Sequence, residues 1–226
     1  MKLIQKPTPN YYPLWSKPTV LVLHVTAGVY EGAVEWLTTS PEERLKQTGT
    51  KSYSSAHFVL DRNSDEIAQL APVTVGTWHA GVIIRPTARA LKVLPKTIFG
   101  KLKNPNRGSI GIEVAAGYDA NNNGIVEATE KMYTQKEIQD CAELILEVIE
   151  PQTGITYDDA HIITHRDIDA QKPNLEVSRL MLLSELAKRR AKKIAPPTPP
   201  IPTTPTTQTK VEQIRVHAEE IIKLTN

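Results

Sequence analysis

The sequence predicts an α/β chain in which a central mixed β-sheet is flanked by helices and followed by a linker and one short helix. Three observations carry this reading. The runs TVLVLHVTA (19–27) and SIGIEVAA (109–116) are apolar nearly throughout, as strands covered on both faces are. The segments KEIQDCAELILEVIE and SRLMLLSELAKRRAKK instead place apolar residues at helical spacing. Residues 196–209, PPTPPIPTTPTTQT, have a composition that favours extended polyproline geometry over core packing. Because strand and helix signals alternate, a mixed sheet with helices against it is the economical architecture.

Taken in order, TVLVLHVTA is the first core strand and brings His24 to its end. EGAVEWLTTSPEERL has helical spacing with acids early, and SSAHFVLDRNSDEIAQLA reads as two strands joined by a turn at Asn63–Asp65. SIGIEVAA is a second buried strand and leads into the polar loop DANNNG. Thr134 is placed to N-cap the next helix, whose apolar stripe is Ile138, Cys141, Ala142, Ile145 and Ile149. HIITH gives another central strand, ending at His165, and SRLMLLSELAKRRAKK the last helix of a domain covering residues 1–195. Beyond the 196–209 linker, residues 210–226 place Val211, Ile214, Ala218, Ile221 and Ile222 on one helical face. So short a helix is marginal alone, which leaves docking, self-association and partner binding open for it.

Composition narrows the function classes. A chain of 226 residues buries one substantial core and is too short for two full-sized domains. Its formal charge of +2 creates no field of the kind that draws proteins onto nucleic acid, so no nucleic-acid partner is expected. With Cys141 as the single cysteine, an intramolecular disulfide and a cysteine-rich zinc site are both excluded, and any metal must be held by histidine and oxygen ligands. No apolar run reaches the length of a membrane span, and MKLIQKPTPNYYPLW has prolines and polar residues where a signal peptide needs an apolar stretch. The expectation is synthesis in the cytoplasm without membrane insertion, with any action outside it depending on release or export.

Several residues carry chemistry. His24 and His165 end predicted strands, where a rigid sheet presents side chains into a cleft; a catalytic zinc site wants about three protein ligands and an open position for water. Taken singly, each reads first as a hydrogen-bonded structural histidine. Glu113 interrupts an apolar strand, so its carboxylate is either paired with a basic neighbour or set at a cavity as a general base. Lys172 is an oxyanion-stabilising charge or a surface lysine. Trp78 and His79 offer stacking and hydrogen bonding to a sugar or peptide, or else form a packed turn. His57, between Ala56 and Phe58 in a strand, reads as structural.

The order of the clusters is more specific than any one of them: LHVTAG (23–28), SSAHFVLDRN (54–63), TWHAG (77–81), NRGSIGIE (106–113), YTQKEI (133–138) and HRDI (165–168). Over most of residues 19–185 this resembles the type 2 N-acetylmuramoyl-L-alanine amidase family. The resemblance implies a single Zn²⁺ ion, the peptidoglycan muropeptide as substrate, and hydrolysis of the bond between N-acetylmuramic acid and L-alanine. It assigns His24 and His165 to the first two zinc ligands, Glu113 to the catalytic acid, Lys172 to the family's lysine near the third ligand, and His79, beside Trp78, to the edge of the substrate cleft.

At the third ligand the sequence departs from the family pattern, since Asn174 stands where aspartate or cysteine is usual. An amide oxygen is a poorer zinc ligand than a carboxylate or thiolate. Asp167 and Asp169 are the nearby acids that a rerouted loop would offer. Two function readings therefore stand: a zinc-dependent amidase that lyses cell wall, and a non-catalytic peptidoglycan-binding module on the same fold. A third makes the domain a scaffold for the C-terminal helix. The segment between Gly81 and Asn104 carries Arg85, Arg89, Lys92, Lys96, Lys101 and Lys103, and reads as a flap or a solvated loop.

Overall fold

A computed structural model describes residues 1–194 except 15, 27, 95, 97–103 and 116–131. The expected linker, the C-terminal helix, the DANNNG loop, Lys101 and Lys103 lie outside the described residues. One compact unit covers Met1–Arg189; of the second, Arg190–Asn226, only the end of the last helix is described.

The six-stranded sheet runs in the order β1 (Lys2–Gln5), β5 (Glu66–Gln69), β4 (Phe58–Leu60), β7 (Ser109–Ala115), β3 (Val20–Thr26), β8 (Ile162–Thr164). All neighbours are parallel except the β4–β5 hairpin, so the sheet is mixed, as expected. β2 (Tyr11–Pro13) and β6 (Val75–Thr77) form a separate antiparallel pair. The longest pairing joins β3 to β7 from Val20 opposite Ser109 to Thr26 opposite Ala115. Both are central strands with helices over each face, which is why their sequences are apolar without alternation.

On one face, Leu21, Leu23, Ile110 and Ile112 pack against Ile138, Cys141 and Ile145, and against Leu182 and Leu186. These come from α4 (Gln135–Leu144), which continues through a π-helical turn (Ile145–Ile149) into α5 (Glu150–Thr153), and from α7 (Glu176–Ile194). Thr134 caps α4 as expected, in a reciprocal box with Glu137. On the other face, Val20, Val22 and Ile163 meet Ala90 of α3 (Ala88–Val93), while Val59 and Ala68 meet Ala33 and Leu37 of α1 (Tyr30–Thr38).

The single helical signal over 31–45 resolves into α1 and α2 (Pro41–Thr48). Pro41 cannot continue a helix and pushes the preceding residue out of helical geometry, and Ser40 uses that break to form a capping box with Glu43. β8 is an edge strand rather than the central one expected from HIITH. Part of the basic 82–104 segment is helical, with Thr87 capping α3. No described helix is long and apolar enough to cross a membrane.

Candidate active site

The β3–β7 register sets His24 directly opposite Glu113, so both side chains project from the same sheet face and His24 Nδ1 lies 3.7 Å from Glu113 Oε1. On the other side of β3, Leu23 pairs with Thr164, the last residue of β8. The next residue, His165, opens the short helix α6 (His165–Ile168) and brings its Nδ1 to 2.9 Å from His24 Nδ1. The chain turns there because Asp167 Oδ2 accepts both the backbone N–H and the hydroxyl of Thr164, at 2.9 Å each. Three parallel strands thus deliver His24, Glu113 and His165 to their carboxyl ends, where ligands of open α/β sheets bind.

A cleft of about 370 Å³ opens over these residues, walled by Ala33, Trp36 and Leu37 of α1 and by Lys172, Pro173 and Leu175. Burial holds the His24 imidazole well below its ordinary pKa, reinforced by His165, His79 and the Lys172 charge. His165 is pushed down to about 4, chiefly by burial and then by Lys172. Burial raises the Glu113 carboxyl to about 8, although Lys172 opposes the shift. Without a cation, therefore, His24 and Glu113 meet near neutral pH as uncharged groups rather than as an ion pair.

His165 Nε2 lies 3.2 Å from the Ala80 carbonyl. A carbonyl only accepts, so Nε2 carries the proton of the neutral ring and Nδ1 presents a lone pair towards His24. His79 is buried; its Nδ1 is 2.9 Å from His24 Nε2 and its Nε2 is 3.1 Å from Ser109 Oγ. His57 has its ring fixed on both sides: Nδ1 accepts the Gly111 N–H at 3.1 Å, and Nε2 donates to the Val75 carbonyl at 2.9 Å.

Of the predicted site residues, four line one cleft and three, His79, Trp78 and Asn174, do not. The four are His24, His165, Glu113 and Lys172. The Trp78 ring is partly exposed and packs near Tyr12, at 4.7 Å between centroids, and Tyr53, at 6.1 Å. Asn174 is exposed, its Oδ1 accepts the Glu176 N–H at 3.1 Å, and it borders a separate depression with Arg89 and Asp167. The acids named as substitutes are also engaged elsewhere: Asp167 accepts from Thr164, Thr87 and Arg89, and Asp169 Oδ1 accepts the Gln171 N–H. Among the described residues, no group of three His, Cys, Asp or Glu side chains is arranged to hold a metal ion.

Sequence reasoning did not single out Ser109, Gly111, Asn106 or Tyr133, yet each touches a histidine of this site or its backbone. The Tyr133 hydroxyl donates to the His24 carbonyl at 2.8 Å. Asn106 Oδ1 accepts the backbone N–H groups of His79 and Ala80 at 3.0 and 2.7 Å. A signal was available for two of them: Ser109, Gly111 and Glu113 alternate along one strand and so share a face.

The arrangement defines an α/β protein with a histidine and carboxylate cleft at the carboxyl ends of its strands. The family model for N-acetylmuramoyl-L-alanine amidase matches residues 14–174, and the chain belongs to this family. Among solved structures, a selenomethionine derivative of AmpD aligns at 19% identity and TM-score 0.52, covering 80% of this chain and 93% of that one. A mutant endolysin from Bacillus subtilis aligns at 20% identity and TM-score 0.47, covering 82% and 99%. The amidase AmiD from E. coli, solved with anhydro-N-acetylmuramic acid-L-Ala-D-gamma-Glu-L-Lys, aligns at 22% identity and TM-score 0.46, covering 71% of this chain and 51% of that one. No curated protein matches the chain in sequence.

Proposed function

We propose that this chain hydrolyses the amide between N-acetylmuramic acid and L-alanine in peptidoglycan, with a zinc ion held by His24 and His165. The observation that carries the reading is the pair of Nδ1 atoms 2.9 Å apart, the His165 lone pair facing His24, with the cleft's one lining carboxylate beside them among the described residues. Two uncharged imidazoles converging in a buried cleft suit zinc, which binds histidine only through the lone pair of a neutral ring. Family membership supports the substrate class.

Bound zinc would supply polarisation of the scissile carbonyl and a lowered pKa for water. The chain supplies the rest. Glu113 takes the proton of the attacking water as the new C–O bond forms. It then passes that proton to the departing amine of L-alanine as the C–N bond breaks, so the carboxylate is regenerated. The Lys172 ammonium bears the negative charge that develops on the carbonyl oxygen. Trp36 and Leu37 wall the cleft and limit water around the reacting groups.

A second reading, a peptidoglycan-binding module without turnover, is favoured by one observation: the Asn174 side chain is committed to the Glu176 N–H instead of joining the cleft lining. The two readings separate when zinc content is measured together with release of new amino termini from purified peptidoglycan, before and after chelation. About one zinc per chain with chelator-sensitive release supports the amidase. Wall binding with neither zinc nor release supports the module.

A further inference from the structure

We infer that the segment His79–Ala80, anchored by Asn106, is a positioning element that sets the tautomers of both His24 and His165 and so turns their Nδ1 lone pairs towards one point. Its importance for zinc rests on the amidase reading above, whereas the tautomers themselves are a property of the chain.

The hydrogens can be placed one after another along a buried chain of groups. The Ser109 hydroxyl has one hydrogen and gives it to the Pro105 carbonyl at 2.6 Å. Ser109 Oγ can then only accept from His79 Nε2, which lies 3.1 Å away. His79 thus carries its proton on Nε2 and offers the Nδ1 lone pair. His24 Nε2, 2.9 Å from that lone pair, must donate to it. The remaining nitrogen of neutral His24, Nδ1, is left bare. One residue further along, the Ala80 carbonyl accepts from His165 Nε2 and bares His165 Nδ1 in the same way.

A single short segment therefore governs both rings, one through a side chain and the other through a carbonyl. Its own placement is fixed by Asn106 Oδ1, which accepts the N–H groups of both residues. Two lone pairs facing each other at 2.9 Å repel unless a cation lies between them. Reversing the chain would relieve this repulsion, with His24 Nδ1–H donating to His165. That arrangement requires the Ser109 hydrogen to leave the Pro105 carbonyl, so Ser109 holds the polarity.

Outer groups that hold a metal-binding imidazole are typically worth roughly 10- to 100-fold in metal affinity. The test compares wild type with His79→Leu, His79→Asn and Ser109→Ala. The amide oxygen of asparagine falls close to the position of imidazole Nδ1 and can still accept from His24, which leucine cannot. Ser109→Ala leaves the ring in place and removes the hydroxyl that accepts from it, and so guards against a misfolded His79 variant. Two readouts are needed: the His24 tautomer in metal-free protein, from long-range ¹⁵N–¹H couplings of the imidazole, and zinc affinity, from competition with a chromogenic chelator.

We expect His24 to be protonated on Nε2 in wild type and in His79→Asn, and to be mixed or reversed in His79→Leu and Ser109→Ala. Zinc affinity should fall about 10-fold or more in the latter two and stay within a few-fold of wild type in His79→Asn. Protonation of His24 on Nδ1 in wild type overturns the inference, as does an unchanged tautomer in both disrupted variants. A wild-type protein that binds no zinc, yet shows the Nε2 tautomer and its loss on mutation, removes the zinc reading and leaves the positioning role standing.

Discussion

Gly111 leaves the space that the His79 ring fills: a Cβ added at Gly111 would lie 2.4 Å from His79 Cγ and 2.7 Å from its Nδ1. The methyl group has no room unless the ring moves. Gly111→Ala is expected to cost about 1–3 kcal/mol by overpacking and to weaken the proposed zinc binding as the ring shifts from His24. Denaturant unfolding and chelator competition on one preparation check this. Unchanged values in both would show that the sheet absorbs the methyl group.

Glu113→Gln removes the carboxylate proposed to move the proton and keeps its shape. Turnover should fall at least about 100-fold, with muropeptide binding preserved. A pH signature accompanies it. The folded-state pKa, about 8, lies above the ordinary 4.5, so the contribution of Glu113 to stability is fully present below about 4.5 and is lost as pH rises through about 8. Metal-free Glu113→Gln should lack that decline, and unfolding curves across this window read it directly.

His57 produces the opposite slope. Burial lowers its pKa from 6.5 to about 4, so the folded protein resists protonation there and stability falls as pH drops from 6.5 through about 4. The full effect is on the order of 3 kcal/mol. A His57→Gln variant should be less stable at pH 7 but lose less on acidification. Parallel stability curves for the two proteins would remove His57 as a source of acid sensitivity.

Arg44 is fully buried and donates to the carbonyls of Trp36, Ser52 and Ser54, with its guanidinium 4.6 Å from the centre of the Trp36 ring. These bonds tie the end of α1, whose Trp36 walls the cleft, to the chain entering β4. Arg44→Leu leaves the carbonyls without their donor and should cost roughly 2–4 kcal/mol. Arg44→Lys should fall between leucine and wild type in thermal unfolding, because one ammonium cannot reach all three carbonyls.

The sequence made the convergence of His24, Glu113 and His165 legible because each stands in or beside an apolar run that must be a strand. Strand ends place side chains with little freedom. The break before Pro41 was also legible in principle, since Ser40, Pro41 and Glu43 together spell a helix start. Other features depend on tertiary partners. The short β1, β2 and β6 carry too few residues for a periodic signal. The role of Asn106 depends on a segment about 26 residues away in sequence, and that of Ser109 on a ring 30 residues away. Trp78 and His79 look like one cluster in sequence, yet neighbours in extended chain point to opposite sides, which leaves one exposed and the other buried. Asn174 stands out by residue type, whereas the hydrogen bond that occupies its side chain is visible only in three dimensions.

The pairing of His24 with Glu113 also sets how this fold can change over time. Side chains in paired strands are allotted to faces by odd and even count, so inserting or deleting one residue in β3 or β7 would carry one of these two side chains through the sheet to the α4 side. Such a change has no small version. Loops can lengthen or shorten at the sheet ends without disturbing that count, whereas the two strands can exchange residues of suitable size and polarity but cannot alter their lengths between the anchored pairs. Evolution of the cleft is therefore free at its rim and quantised at its floor.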